Sequence, residues 1–490
     1  MFGATLIGAT LIGATIAAQG SAYAQTAPAP TGLPTQQVLV PSYSVNGAND
    51  NNNYQTATHP GNQAVPTPGT MVIRLNGRIW SEASVEGSTG DVVGGNKESP
   101  YNLGTYIRLY PGVDAMATNG LRYGAQAEIR ENFVGQGYTA TGSGVGLTAT
   151  NAQNSSTSTG TSGLTCEQTL YVRRAFVWVA QDRVGIFRFG QGDGVSGIFD
   201  NGVTTFQNVG QGEWNGDAPA AVNSVSAPAF PWYSQQGAEY GSNKIVYLSP
   251  QFAGIDVGLD YAPNNGNLEA GCSEAGLGCS SLSSSSEVNA AGVPTDNFRF
   301  TNQVQAGIRY QGVVGPTTIY AFGDYVGSGV VDYTGPAVTG LPAGSRYTGQ
   351  NNGVSAGFVG AAVTYAGFQV GGAWQGGQYN GAMDTVPKGA TNAQAYLVGF
   401  TYLNGPFLIG ASWYGFDSQG APQLTGISQR HENAFAAGGN YQITPGLQAF
   451  FEYLYGMRHQ GDYDFVSSSV GTADNNVKSQ ALLVGLEVGW

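Results

Sequence analysis

Six arginines lie in short alternating segments, and four of them alternate cleanly with apolar neighbours. Arg74 and Arg78 occupy even positions of MVIRLNGRIWSEASVE (71–86), Arg108 lies in NLGTYIRLY (102–110), Arg122 and Arg130 in GLRYGAQAEIRE (120–131), and Arg188 in GIFRFGQ (185–191). Successive side chains of a strand point to opposite faces, so each segment makes a strand with one apolar face and one face carrying charge. Two readings fit the charged face: positions that need only solvated side chains, or a ladder of guanidiniums that sets up a fixed field. Arg173 and Arg174 are adjacent in TLYVRRAFVWVA (169–180), and strict alternation allows only one of them on that face without saying which.

Acidic residues collect elsewhere. Asp193, Asp200, Glu213 and Asp217 fall in an irregular stretch, 191–242, and no Lys or Arg occurs from 189 to 243. Such a stretch can be an ordinary solvated acidic loop, but Phe199, Phe206, Trp214, Phe230 and Trp232 need burial, which favours a segment packed on a wall. The glycines of GQGDG (190–194) have no following helix pattern and no second copy, so they read as a strand exit rather than a phosphate or Ca²⁺ turn.

Chemistry beyond fixed charge is thinly represented. The three histidines, His59, His431 and His459, have no Ser, Cys or Asp arrangement that reads as a catalytic set, so no catalytic residue is assigned. Cys272 and Cys279 enclose SEAGLG and can form a local disulfide in an oxidising compartment, leaving Cys166. With no His near them, no metal site or other cofactor is expected.

The elements that would position these residues are strands. Only 10% of residues are charged, 76 of 490 are Gly and 11% are aromatic, a strand-and-turn composition poor in helix formers. A formal charge of −13 excludes a broad phosphate-neutralising surface, hence a nucleic-acid partner. Residues 1–24 carry no charge and contain LIGATLIGATIAA (6–18) before Ala22-Tyr23-Ala24, which reads as a signal peptide cleaved before Gln25 and too short to span a bilayer. Residues 25–69 are rich in Pro, Asn, Gln and Thr, show no period and read as a flexible lead-in.

From residue 70 alternating segments recur, at 71–86, 102–110, 120–131, 169–180, 185–191, 243–250, 254–262, 298–311, 317–326, 353–365, 368–376, 394–403, 406–416, 430–441, 447–457 and 477–490. The connections alternate between short turns, such as Ala366-Gly367 and Asn404-Gly405, and long polar loops. PGVDAMATN (111–119) reads as one of the turns. About sixteen strands of near ten residues, with short turns at one end and long loops at the other, predict an all-β transmembrane antiparallel barrel over 70–490, with turns on the periplasmic side and loops outside. The apolar faces then meet lipid, the charged faces line a water-filled interior, and closure leaves no unpaired edge. A propeller or β-helix would need a repeating local motif, and none is present.

The ending ALLVGLEVGW closes a strand on Trp490, with Leu482, Val484, Leu486 and Val488 on one face. With NGLRYGAQAEIREN, YVRRAFVWV, NKIVYLSPQFAGIDVGLDYA and FFEYLYGMR it resembles the Gram-negative general porins over about 70–490. The resemblance implies a homotrimer of sixteen-stranded barrels in the outer membrane, each with its own pore, narrowed by an inward-folded third loop. It implies Trp490 as the signal read by the barrel-assembly machinery, outer-membrane lipid as surroundings, and small hydrophilic solutes as cargo with no cofactor. Two other functions stay open: a solute-selective channel, for instance for carbohydrate with Tyr106 as a stacking surface, and a structural or adhesive surface protein. The first amino acid of the exported chain should be Gln25 by mass spectrometry. Recovery of residues 1–24 in the exported protein would remove the signal-peptide reading.

Overall fold

A strand that is apolar on one face and charged on the other can be satisfied by lipid outside and polar groups inside, provided that its backbone is paired on both edges. The computed structural model meets both conditions: sixteen strands form one closed antiparallel barrel. The structure describes residues 66–131, 170–264, 300–330 and 351–490, apart from short breaks at 94, 98, 201–202, 204–221, 223–224, 236, 382–384, 422–423 and 425. The signal-peptide reading, most of the lead-in and the three cysteines lie outside the described residues.

The strands are β1 (Thr70–Ser88), β2 (Tyr101–Met116), β3 (Arg122–Glu131), β4 (Leu170–Gln181), β5 (Gly185–Gln191), β6 (Asn243–Leu248), β7 (Ile255–Asn264) and β8 (Phe300–Val314). They continue as β9 (Thr317–Val330), β10 (Ser355–Tyr365), β11 (Phe368–Gln378), β12 (Ala393–Asn404), β13 (Phe407–Ser418), β14 (Arg430–Thr444), β15 (Leu447–Gln460) and β16 (Asn476–Gly489). Each pairs with its sequence neighbours, and β1 closes the ring on β16 in a register running from Arg78 opposite Gly489 to Ser88 opposite Ser479. Two short helices, α1 (Val195–Asp200) and α2 (Gly237–Tyr240), lie in the third long connection.

Side-chain alternation sorts the two faces. On β1, Ile73 is 76% exposed while Arg78 is 2% exposed, and the same parity continues through Trp80, Glu82 and Ser84 inward and Ile79 and Val85 outward. Outward aromatics gather in two belts: Tyr365, Phe368, Phe407 and Tyr441 towards the turn end, and Trp374, Tyr396, Trp413, Phe435 and Tyr455 towards the loop end. On β11 six residues separate Phe368 from Trp374, about 20 Å along a strand at ~3.3 Å per residue, and such paired girdles mark the two interfaces of a bilayer.

Two local features position the seam and one turn. Trp490 continues the β16 ladder, donating its N–H to the Gly77 carbonyl at 3.0 Å and accepting from the Gly77 N–H at 3.1 Å. Its indole covers Gly77 so closely that a Cβ there would meet the ring at 2.5 Å, so a side chain at this point of the seam would displace the indole. In the β10–β11 turn, Ala366 and Gly367 have φ of 49° and 84°, the left-handed pair that a two-residue hairpin of this twist demands.

One boundary differs from the sequence reading. Residues 111–116, expected to belong to the turn, extend β2, with Pro111 directly opposite Leu75 of β1. Pairing of β2 with β3 passes from Leu109 opposite Ile129 to Gly112 opposite Gln126 and skips Tyr110 and Pro111, and an interrupted ladder accommodates a residue without an N–H. Other strand ends shift by a few residues.

An outward charge should be costly here. Val484→Arg, on the lipid face of β16, should destabilise the barrel by roughly 2–4 kcal/mol if it sits near the bilayer midplane, while Ser84→Lys, facing inward beside Glu82, should cost far less. Folding yield and urea unfolding in lipid vesicles measure both, and equal tolerance would mean that the faces are misassigned.

Candidate functional site

The inner wall brings three arginines into one lateral row. Arg78 of β1 stands directly opposite Arg108 of β2, which stands directly opposite Arg130 of β3. Like charges in such positions repel, so each needs compensation from its surroundings. Arg78 donates to Glu487 at 3.3 Å, and Arg130 pairs with Glu128. Arg78 and Arg108 both lie over the Trp80 ring, 4.8 and 4.7 Å from its centroid, and Tyr106 packs against Trp80 at 5.1 Å. Arg74 forks onto Asp114 at 2.5 and 3.2 Å, and Arg188 lies 4.1 Å over Phe176. Arg122 sits at the turn end, 3.7 Å from the exposed Asp182, away from the row.

Arg173 and Arg174 correct the alternation argument. Both are buried inward, because the β3–β4 ladder passes from Glu128 opposite Arg174 to Ile129 opposite Val172 and leaves Arg173 as the extra residue of a β-bulge. A bulge lets two consecutive side chains share a face, so strict period-two reasoning fails at this point. Both donate to Glu128, which also takes Arg130, so one carboxylate holds three guanidiniums. Arg173 and Arg174 also lie over the Tyr240 ring, at 3.8 and 5.0 Å.

The third long connection meets this cluster through Asp193, which accepts from Arg174 at 2.7 Å. Burial raises the Asp193 carboxyl, but Arg174, Arg188 and Arg173 outweigh it and hold the group below its ordinary pKa. Then α1 begins. Six residues cannot sustain a helix alone, and its first N–H groups are taken by wall and loop side chains. Val195 donates to Asp260 of β7 at 2.6 Å, Ser196 to Gln305 of β8 at 2.9 Å and Gly197 to Glu239 at 2.9 Å. The Ser196 hydroxyl donates to Asp324 of β9 at 2.7 Å. Side-chain oxygens at a helix start satisfy its unpaired N–H donors.

Asp200, at the other end of α1, accepts from the Ser234 hydroxyl at 2.6 Å and lies near Tyr320 and Asp324 of β9. Phe199 and Trp232 are fully buried; Arg309 lies 4.7 Å over Phe199, and Trp232 stacks on Phe358 at 5.9 Å. Burial, followed by the nearby Glu239 and Asp260, pushes the Tyr233 hydroxyl well above its ordinary pKa, so it stays protonated. Farther along, Tyr233 N–H donates to Gln375 of β11 at 2.8 Å, Tyr414 of β13 donates to the Ala229 carbonyl at 3.1 Å, and Arg458 of β15 to the Val225 carbonyl at 2.7 Å. Loop contacts with the wall thus run from β4 round to β15, and Ser226 carries them on to Ser479 of β16 at 3.0 Å and Ser88 of β1 at 2.8 Å. Glu213, Asp217, Phe206 and Trp214 lie outside the described residues.

Glu128, Glu239, Asp260, Asp324 and Trp80 were not singled out from sequence. Glu128, Asp260 and Asp324 do fall on inward positions of alternating strands, which was the available signal. Basic residues also reach beyond the first five strands: Arg309 forks onto Asp256 at 3.0 and 2.6 Å, and Arg458 meets Glu432 at 2.6 Å.

A family model described as Gram-negative porin matches residues 83–460. No curated protein matches the chain. Among solved structures, the chain is similar to outer-membrane-expressed OmpT of Vibrio cholerae, with 12% identity and a TM-score of 0.45 over 87% of this chain and 100% of that one. It is also similar to a variant porin of Rhodobacter blastica, with 13% identity and a TM-score of 0.42 over 86% of this chain and 100% of that one.

The Asp193–Arg174 tether has a defined acid dependence. A carboxyl whose folded pKa is depressed contributes its stabilisation fully above the ordinary value of 3.8 and loses it as pH falls through the lower folded value. Limited proteolysis of the third loop should therefore rise below about pH 4 in the native chain, and Asp193→Asn should show the raised cleavage already at neutral pH. Unchanged cleavage in the variant would show that this ion pair does not hold the loop.

Proposed function

The chain belongs to the Gram-negative porin family and is an outer-membrane barrel channel, and from that premise we propose that it carries small hydrophilic solutes and ions by passive diffusion through a water-filled lumen. The observation that supports this reading best is the run of loop contacts on the inner wall, from Arg174 through Asp260, Gln305 and Asp324 to Gln375. A loop fastened along the inside of a barrel narrows the passage while leaving the wall opposite it to set the electrostatics.

In this reading residues 191–242 form the constriction, and the arginine row with Arg74, Arg122 and Arg188 forms the basic wall. Asp193, Asp200, Glu213 and Asp217 supply the acidic side. The turns face the periplasm and the long loops face outward, after export by a cleaved signal peptide. The barrels assemble as homotrimers through the barrel-assembly machinery, with Trp490 as the residue it reads. The chain acts as a channel rather than an enzyme: the one His–Asp ion pair among the described residues joins the exposed His431 to the half-buried Asp417 at the loop end, away from the loop and wall groups described above.

Planar-bilayer recording tests the function. Open, weakly selective conductance steps are expected, block by a single sugar would favour a solute-selective channel, and absence of steps would favour a structural role. Replacing Asp193, Asp200, Glu213 and Asp217 by their amides should shift the reversal potential towards anions, and replacing Arg74, Arg78, Arg108 and Arg122 by Gln should shift it towards cations. Both shifts should shrink at 1 M salt, where the Debye length is about 3 Å. Unchanged conductance and reversal potential at 0.1 M salt in the acidic variant would overturn the constriction.

A further inference from the structure

Two of the three histidines, far apart in any motif sense, stand side by side in the folded chain. The register places Gln394 of β12 opposite Asp417 of β13, Asp417 opposite His431 of β14, His431 opposite His459 of β15, and His459 opposite Asn476 of β16. This is one lateral row of polar side chains on five consecutive strands. His431 and His459 are exposed, on positions of the same parity as the outward Phe435 and Tyr455. Each lies four residues towards the loop end from its belt aromatic, about 13 Å along the strand at ~3.3 Å per residue, so the row sits above the apolar band.

From this juxtaposition we infer that His431 and His459 form a chelating site on the outer rim of the barrel for one divalent late transition-metal ion of the Zn²⁺, Ni²⁺ and Cu²⁺ class. Directly opposed residues of an antiparallel pair have Cβ atoms roughly 4.5–5.5 Å apart, which lets two imidazoles converge on one ion with metal–nitrogen bonds of about 2.0–2.1 Å. Imidazole suits these ions, whereas Mg²⁺ and Ca²⁺ prefer oxygen.

The neighbouring row supplies the orientation that such a ligand needs. His431 Nδ1 and Asp417 Oδ1 are 2.5 Å apart, and the Gln394 amide donates to Asp417 Oδ2 at 3.1 Å. With Asp417 accepting from Nδ1–H, the tautomer is set and Nε2 presents its lone pair outward, the carboxylate–histidine–metal arrangement in which the carboxylate orients rather than ligates. Among the described residues no group of three or more His, Cys, Asp or Glu side chains is placed to hold a metal, Asp417, His431 and His459 included, so the proposed chelate has two protein ligands and would take water in its remaining positions. It is independent of the pore and of the solute that passes.

Calorimetric titration of the folded full-length barrel in detergent with Zn²⁺ tests the site, with folding of every variant checked by heat-modifiable migration. Saturable one-to-one binding is expected in the native chain, lost in both His431→Gln and His459→Gln and kept in His59→Gln. Asp417→Asn should weaken it about tenfold or more through loss of orientation. No saturable Zn²⁺ binding by the native chain, retention in either single rim variant, dependence on His59 instead, or an equal response to Mg²⁺ would each overturn the proposal.

Discussion

The constraint on which the rest of this structure depends is that no backbone N–H or C=O can go unpaired in hydrocarbon. It forces β1 to close on β16 and leaves no edge strand in the ring. With short turns joining antiparallel neighbours, closure also fixes the alternation of turn end and loop end. Trp490 is where the constraint is most visible. Its backbone continues pairing past the end of β16, and its ring lies over the bare backbone of Gly77. Seam geometry and residue choice are therefore one problem.

Closure turns the usual sorting of side chains inside out, and the interior must then solve the cost of buried charge. Removing one partner of a buried ion pair leaves an uncompensated charge, so such pairs act as fixed joints rather than as simple sources of stability. Glu128 with three guanidiniums, Arg74 with Asp114 and Arg309 with Asp256 are joints of this kind. The same requirement fastens the third loop: α1 is too short to persist alone, and its first N–H groups are satisfied by wall carboxyl and amide groups together with Glu239.

Strand identity was legible because period-two alternation is imposed by lipid on one face and polar groups on the other, as in β1, where every second residue changes surroundings. Local exceptions were not legible. Arg173 and Arg174 share a face only because a bulge absorbs one residue, and a bulge depends on the partner strand rather than on the dipeptide. Pro111 sits inside β2 because the ladder to β3 is interrupted there, again a property of two strands together. The histidine row was invisible for the same reason: His431 meets Asp417 and His459 through register alone, across sequence gaps that follow no motif.

Pairing also changes what the inner charges can do. An ion pair presents a dipole to a passing ion, and a dipole's field decays faster than that of a single charge, so individually balanced pairs such as Arg74–Asp114 contribute little at a distance. What reaches the lumen is the imbalance of each cluster. Arg130, Arg173 and Arg174 gather around Glu128, and Arg174 reaches Asp193, with Arg188 also acting on that carboxyl. The start of α1 is held by the opposite mixture, with Asp260, Asp324 and Glu239 beside Lys244. Asp193 precedes Val195 by two residues, so the chain passes from a cation-rich to a carboxyl-rich surrounding within about one helical turn. The loop is thus fastened at both places, by Asp193 on Arg174 and by the start of α1 on Asp260, Gln305 and Asp324, so the residues that tether it belong to the same ionisable inner wall.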